Sequence, residues 1–365
     1  MMETGTTMHY FSTGNTARGY FNINEGNWEQ LTKLFVIQGQ AFNGKSALLR
    51  NIANHFIAND IKIELLHYAL DAEAITGVIL STLQIGIVAE ELLEGHDADN
   101  AFLEIEIVDL DGIYNLEQLT SRQQNLIEFI AKKNEACKNA YDTYAEALAI
   151  HDEWEAIYIG NTDFEKLNTL TDKLTEIIFE DIDFPKNSMQ QHRFLGAATA
   201  KGAVDFVPNL TATIQKRYLL KGRPGSGKST LLKKLAQFAK QRGIDVEIYH
   251  CGFDPHSLDM LIFRELSIAI FDSTAPHEYF PTHGSDEIID LYKVAILPKT
   301  DEIFAEQLNF IASRYKQKMI EGTEYLALAK GWQDQIDLHF IDALDSMKMR
   351  ELEHQIEQQI YPLVN

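Results

Sequence analysis

Apolar and polar residues alternate along this chain in two similar cycles. Leu34–Gln38 and Arg217–Lys221 are short apolar runs that read as buried strands. Behind each comes a helical pattern, over Lys45–Asn59 and Lys228–Arg242. Leu48, Leu49, Ile52, Ala53 and Phe56 recur at helical spacing in the first, and Leu231, Leu232, Leu235 and Phe238 in the second. Gly243 suits a left-handed cap at the second helix's end. Ile61–His67 with Ile244–His250, and Ile85–Ala89 with Ile268–Asp272, read as further strand pairs. Residues 9–23 and 192–207 have a β-like pattern that predicts a hairpin ahead of each core. Residues 116–159, 162–180 and 300–360 are long, charged and amphipathic, and predict helices.

The two cycles are copies. At an offset of 183 residues, about 21 of about 80 positions coincide between 9–88 and 192–271. His9 meets His192, Thr16-Ala17-Arg18-Gly19 meets Thr199-Ala200-Lys201-Gly202, His67 meets His250 and Asp71 meets Asp254. A tandem duplication sets the architecture before any local detail does. The fold class expected is α/β: two tandem phosphate-loop domains, each a mostly parallel sheet with helices on both faces and a C-terminal helical extension. The boundary falls near Phe184–Ser188, giving residues 1–186 and 187–365, which together form an intramolecular pseudo-dimer.

Between strand and helix each copy carries a glycine motif. Residues 222–229 read GRPGSGKS and residues 39–46 read GQAFNGKS, both fitting G-x-x-x-x-G-K-[ST]. In such a loop Gly222, Gly225 and Gly227 let successive N–H groups turn inward, with Pro224 and Ser226 between them. Lys228 reaches the outer phosphates, Ser229 meets Mg²⁺ and Thr230 lies near the inner phosphate. Asp272, after four apolar strand residues, is the expected metal-binding acid. Asp254 is a candidate base or water-ordering acid, His277 a candidate substrate contact, and Lys201 and Arg264 candidate counter-charges.

The first copy is degraded. Phe42 stands for Gly225, Ala47 for Thr230 and Ala89 for Asp272, and Glu90 is one residue out of phase for a strand. Gly39, Gly44, Lys45 and Ser46 remain as candidate phosphate contacts. The expectation is a fold-retaining copy with weak or no catalysis.

The segments GRPGSGKSTLLKKLA, YHCGFDPHSLDM and IAIFDSTAPHEYFP, with the T-A-K-G element, make the chain similar to the duplicated P-loop proteins of Bacillus-like Firmicutes. The resemblance spans nearly the whole chain and is strongest over 192–292. It implies two P-loop domains, ATPase or nucleotide-kinase-like character and a cytoplasmic protein.

Composition narrows the partners. A net charge of −22 opposes a nucleic-acid partner without excluding a nucleotide, for which a loop supplies its own donors. No apolar run is long enough for a membrane span, and the N-terminus lacks a leader pattern. Cys137 and Cys251 have no metal-ligand spacing, which fits a reducing cytoplasm. The ligand expected is ATP with Mg²⁺; GTP is less favoured because Pro298-Lys299-Thr300-Asp301 lacks the asparagine of a guanine-reading loop. Three functions follow: a Mg²⁺-dependent ATPase with an inactive first half; a kinase using Asp254 as base on a small-molecule or nucleotide acceptor; or a nucleotide-sensing scaffold meeting a protein partner through its helices.

Overall fold

A computed structural model describes residues 7–24, 26–59, 61–94 and 103–363. The first six residues, part of the segment in which no leader is expected, lie outside them. In chain order the first half contains β1 (Thr7–Phe11), β2 (Thr13–Thr16), β3 (Gly19–Asn22), β4 (Lys33–Gln38), α1 (Phe42–Ile57), β5 (Ile63–His67), β6 (Ile75–Leu80), β7 (Ile85–Ala89) and β8 (Glu104–Asp109). The helices α2 (Leu116–Ser121), α3 (Gln123–Ile159) and α4 (Phe164–Phe179) follow. The second half repeats the order: β9 (Gln190–Phe194), β10 (Gly196–Thr199), β11 (Gly202–Asp205), α5 (Val207–Leu210), β12 (Lys216–Lys221), α6 (Lys228–Gln241), β13 (Val246–His250), β14 (Leu258–Phe263), β15 (Ile268–Asp272) and β16 (Glu287–Asp290). It closes with α7 (Leu291–Ala295), α8 (Thr300–Ile303), α9 (Ala305–Ala343) and α10 (Ser346–Ile360).

The fold is α/β, with one mixed sheet of twelve strands in the order β16-β12-β15-β14-β13-β9-β1-β5-β6-β7-β4-β8. Each half contributes six strands. Five are parallel, and β6 or β14 runs against its neighbours. The sheet is thus mixed, with one reversed strand interrupting an otherwise parallel set in each half. A four-residue link, Ser81–Gln84 or Arg264–Ser267, joins β6 to β7 and β14 to β15 where a parallel pair would need a helical crossover. Gln84 and Ser267 sit at φ 57° and 55°, which tightens these links. With one crossover fewer per half, the helices longer than one turn cover only one sheet face. The other face is a continuous apolar layer running through both halves, from Leu34, Leu66 and Val88 to Leu219, Tyr249 and Phe271. It is covered by Trp28, Leu31 and Ile214 from connecting segments and by Val207 and Leu210 of the short helix α5.

The halves meet where β1 runs antiparallel to β9 through a single residue pair, Phe11 with Phe194, which are equivalents at the 183-residue offset. Beside it, Arg193 lies over the ring of Tyr10, its own equivalent, at 4.2 Å. Arg193 is 1% exposed, and its guanidinium donates to Glu64 of the first half at 2.9 Å and stands 3.7 Å from Glu247 of the second.

The helical extensions are exchanged between halves. Leu167, Leu174, Ile178 and Phe179 of α4 share a core with Leu231, Leu232 and Leu235 of α6. Ile336 and Phe340 of α9, with Met349, Ile356 and Ile360 of α10, share one with Leu48, Leu49 and Ile52 of α1. These helices pack across the repeat boundary, not within it. Between them α3 and α9 lie together. Ala136, Ala140 and Ala329 permit the approach, and a Cβ on Gly322 would come within 2.3 Å of the Tyr144 ring. No helix among the described residues is long and apolar enough to cross a membrane.

Candidate functional site

The second glycine motif folds as a loop between the end of β12 and the start of α6. Gly225 and Gly227 take φ 72° and 90°, in the left-handed region that favours glycine. Gly227 is the residue before α6, whose first helical residue is Lys228. Lys228 Nζ donates to the carbonyls of Gly222 (3.0 Å) and Arg223 (3.1 Å) and stands 3.5 Å from Asp272 Oδ2. Asp272 ends β15, beside β12 in the sheet, and also accepts from the Thr274 amide and hydroxyl at 3.0 and 2.6 Å. Ser226 Oγ is buried in the loop with no hydrogen-bond partner. Pro224 forms the loop's turn, and Thr230 is exposed on the first turn of α6.

Left-handed glycines, a helix N-terminus, a lysine folded back over the loop and an orphaned hydroxyl are groups that could hold an anion. Ser229 is a weaker match to its expected metal role. Its Oγ accepts the Leu258 N–H at 3.0 Å, as Ser46 Oγ accepts that of Ile75, so this bond is a shared structural feature of both halves. The loop is also covered. A Cβ on Gly225 would lie 2.7 Å from the Glu155 carbonyl of α3, and one on Gly227 would lie 2.4 Å from Leu167 of α4. Both covering elements come from the first half.

A second carboxylate and a histidine stand near Asp272. Burial, reinforced by the Asp272 charge, pushes Asp259 up to about 6. His277, the candidate substrate contact in the loop after β15, is held by Asp205 at 2.7 Å. Burial opposes its charge, but that bond and the surrounding aspartates raise its pKa. Tyr279 Oη donates to the other Asp205 oxygen at 2.5 Å. Asp205 and Asp259 escaped the sequence reading because nothing in the motif spacing marks them.

Arg264 stands apart from the glycine loop. It sits beyond β14, whose reversed direction places it beside Ile268, four residues of β15 from Asp272, roughly 13 Å along a strand. Its guanidinium is spent on Glu247 (2.8 and 2.9 Å) and the Leu210 carbonyl (3.0 Å). Lys201 also lies elsewhere, pairing with Glu73 of the first half at 2.5 Å. Its equivalent Arg18 is the one that reaches the second site, where Nε donates to Asp254 at 2.8 Å. The hairpins β2–β3 and β10–β11 have crossed the seam, so each basic residue serves the other half. Asp301 is held by Arg223 (2.8 Å) and Tyr158 Oη (2.8 Å).

The first motif does not form the same loop. Helix α1 begins at Phe42, so Gly44, Lys45 and Ser46 are inside it. Phe42 packs on the Tyr68 ring at 4.2 Å. Gly44 faces the Tyr114 hydroxyl, which would be 1.9 Å from an added Cβ. Lys45, 2% exposed, is paired with Glu91 and lies 3.6 Å from Glu90. Glu90 and Glu91 reach it because β7 ends at Ala89 and a 3₁₀ turn follows, which removes the strand-parity objection. Carboxylates also take the amides of this region: Glu90 that of Gly39 (3.1 Å), Asp111 that of Gln40 (3.2 Å), and Asp337 that of Asn43. The expected phosphate contacts Gly39, Lys45 and Ser46 are thus already engaged by the chain's own groups, and Tyr114 crowds Gly44.

His67 and His250 are satisfied in matching relays. His9 Nδ1 lies 2.9 Å from His67 Nε2, whose Nδ1 lies 2.6 Å from the Ala72 carbonyl; His192, His250 and Pro255 repeat this at 2.8 and 2.6 Å. A carbonyl only accepts, so His67 and His250 carry their proton on Nδ1. Burial pushes both down to about 4.

Comparison with protein-family models, with curated proteins and with solved structures returned no match.

Proposed function

We propose that the second half binds a nucleoside triphosphate, ATP with Mg²⁺, at residues 222–230 and acts as an ATPase or nucleotide switch, with the first half as its inactive partner. One observation carries this reading: the left-handed glycine loop that ends in Lys228, beside Asp272 and around the orphaned Ser226 hydroxyl. Lys228 and the loop amides would hold the phosphates, and Asp272 with Ser229 would hold the cation. Mg²⁺ supplies charge neutralisation there. The first half contributes cover, through α3 and α4, and Arg18, through Asp254. Arg18's hold on Asp254 favours a positioning role for that acid over the acceptor-activating role a kinase would need.

The test is nucleotide protection against thermal unfolding in the full chain. A ligand at about 100 times its Kd stabilises by about 2.7 kcal/mol. ATP with Mg²⁺ is expected to protect the wild type and Lys45→Ala, and not Lys228→Ala. Equal loss of protection in both variants overturns the division of roles, and protection persisting in Lys228→Ala overturns the site.

A further inference from the structure

We propose that His151, Asp152 and Glu155, near the C-terminal end of α3, bind a divalent transition-metal ion over the second half's glycine loop. One donor atom from each residue lies within 4.8 Å of the others. His151 Nδ1 is 3.9 Å from Glu155 Oε1. Metal–nitrogen and metal–oxygen bonds of about 2.0–2.2 Å let two donors on one ion stand up to roughly 4.3 Å apart, so small rotamer changes close the site. The spacing suits this: Glu155 is i+4 from His151 and i+3 from Asp152, so each shares a helix face with it. His151's ring is set by Phe253 and Tyr315, at centroid distances of 6.2 and 5.7 Å. One imidazole with two carboxylates suits Mn²⁺, Zn²⁺ or Co²⁺ better than an all-oxygen cation such as Mg²⁺.

Position gives the second argument. Glu155's backbone abuts Gly225, in the loop that ends at Lys228. Helix α9 stands in the same relation to the first motif, where it presents Lys330, Asp334 and Asp337. Lys330 is tied to Asp71 (3.3 Å) and Asp334 (2.5 Å). A protonated lysine offers no lone pair, so that helix cannot chelate in the same way. Among the described residues the His151 group is the one cluster of this kind, and it accompanies the loop that kept its glycines. The metal site itself does not depend on nucleotide; its use, adding positive charge beside Lys228 for a bound triphosphate, rests on the reading above.

The experiment is a Co²⁺ titration of the full chain without nucleotide, followed by visible ligand-field absorption and calorimetry. The wild type is expected to bind one ion with a histidine–carboxylate spectrum, and His151→Gln and Glu155→Gln to lose more than about tenfold in affinity. Asp152→Asn, at an exposed position, guards against misfolding and is expected to weaken binding too. Lys228→Ala is expected to keep Co²⁺ while losing ATP protection, so the two proposals can fail separately. Absence of binding by the wild type, or unchanged affinity in the three cluster variants, overturns the metal site.

Discussion

Replacing Arg193 with methionine removes the cation at the centre of the sheet while keeping much of the side chain's length. Two carboxylates then lose a partner. Glu247 keeps the two-pronged Arg264 contact, so its loss is partial. Glu64 keeps the Ser81 hydroxyl at 3.0 Å, a neutral partner, and stays largely buried. Removing one member of a buried ion pair costs about 3–5 kcal/mol, mostly from stranding the other charge. The stacking on Tyr10 adds about 1 kcal/mol. The expected loss is therefore about 5 kcal/mol in urea unfolding, read as a lower midpoint at unchanged slope. Glu64→Gln in the Arg193→Met background is expected to recover about half of it, a coupling visible in a double-mutant cycle. A single-variant loss below about 1 kcal/mol, or no recovery in the double variant, would refute the assignment of Arg193 as the neutralising group of the seam.

Asp337→Asn is expected to stabilise the protein at neutral pH. Burial raises Asp337 to about 6, so the folded state disfavours its ionised form and the carboxylate's cost grows as pH rises from about 4 to about 6. Asparagine can still accept from Asn43 and removes that cost; an increase of about 1–3 kcal/mol at pH 7.5 that fades near pH 4 is the result to seek in thermal scans. His250→Gln has the opposite pH signature. A folded pKa of about 4 means stability is intact above pH 6.5 and lost as pH falls towards 4, so the variant's melting temperature should fall less than the wild type's between pH 7 and 5.

The sequence located the strands and helices of each core because their apolar spacing is regular. Ile85–Ala89 and Ile268–Asp272 match the observed strands residue for residue. Strand β6 escaped because all six of its residues, Ile75–Leu80, are buried, so it shows no alternation. The α1 start was misplaced because Phe42, unlike glycine, is compatible with helical backbone, and the helix extends through the motif. The exchange of α4 and α10 was invisible. An amphipathic pattern says that a face is buried and not which half buries it. The same limit hid Arg18, whose role depends on a hairpin crossing to Asp254.

The residues at the seam bear on how such a chain can change. A symmetric dimer of two separate copies must set like against like on its axis: phenol against phenol if position 10 is kept, guanidinium against guanidinium if position 193 is. Two buried arginines facing each other would repel. Joining the copies in one polypeptide lifts that restriction, because each position can then vary alone, and Tyr10 against Arg193 is a pair that no homodimer could hold. Once Arg193 had come to serve Glu64 across the seam, cutting the chain would not restore two self-associating proteins. The duplication is in that sense a one-way step, and inequality between the two glycine motifs is what such a step permits.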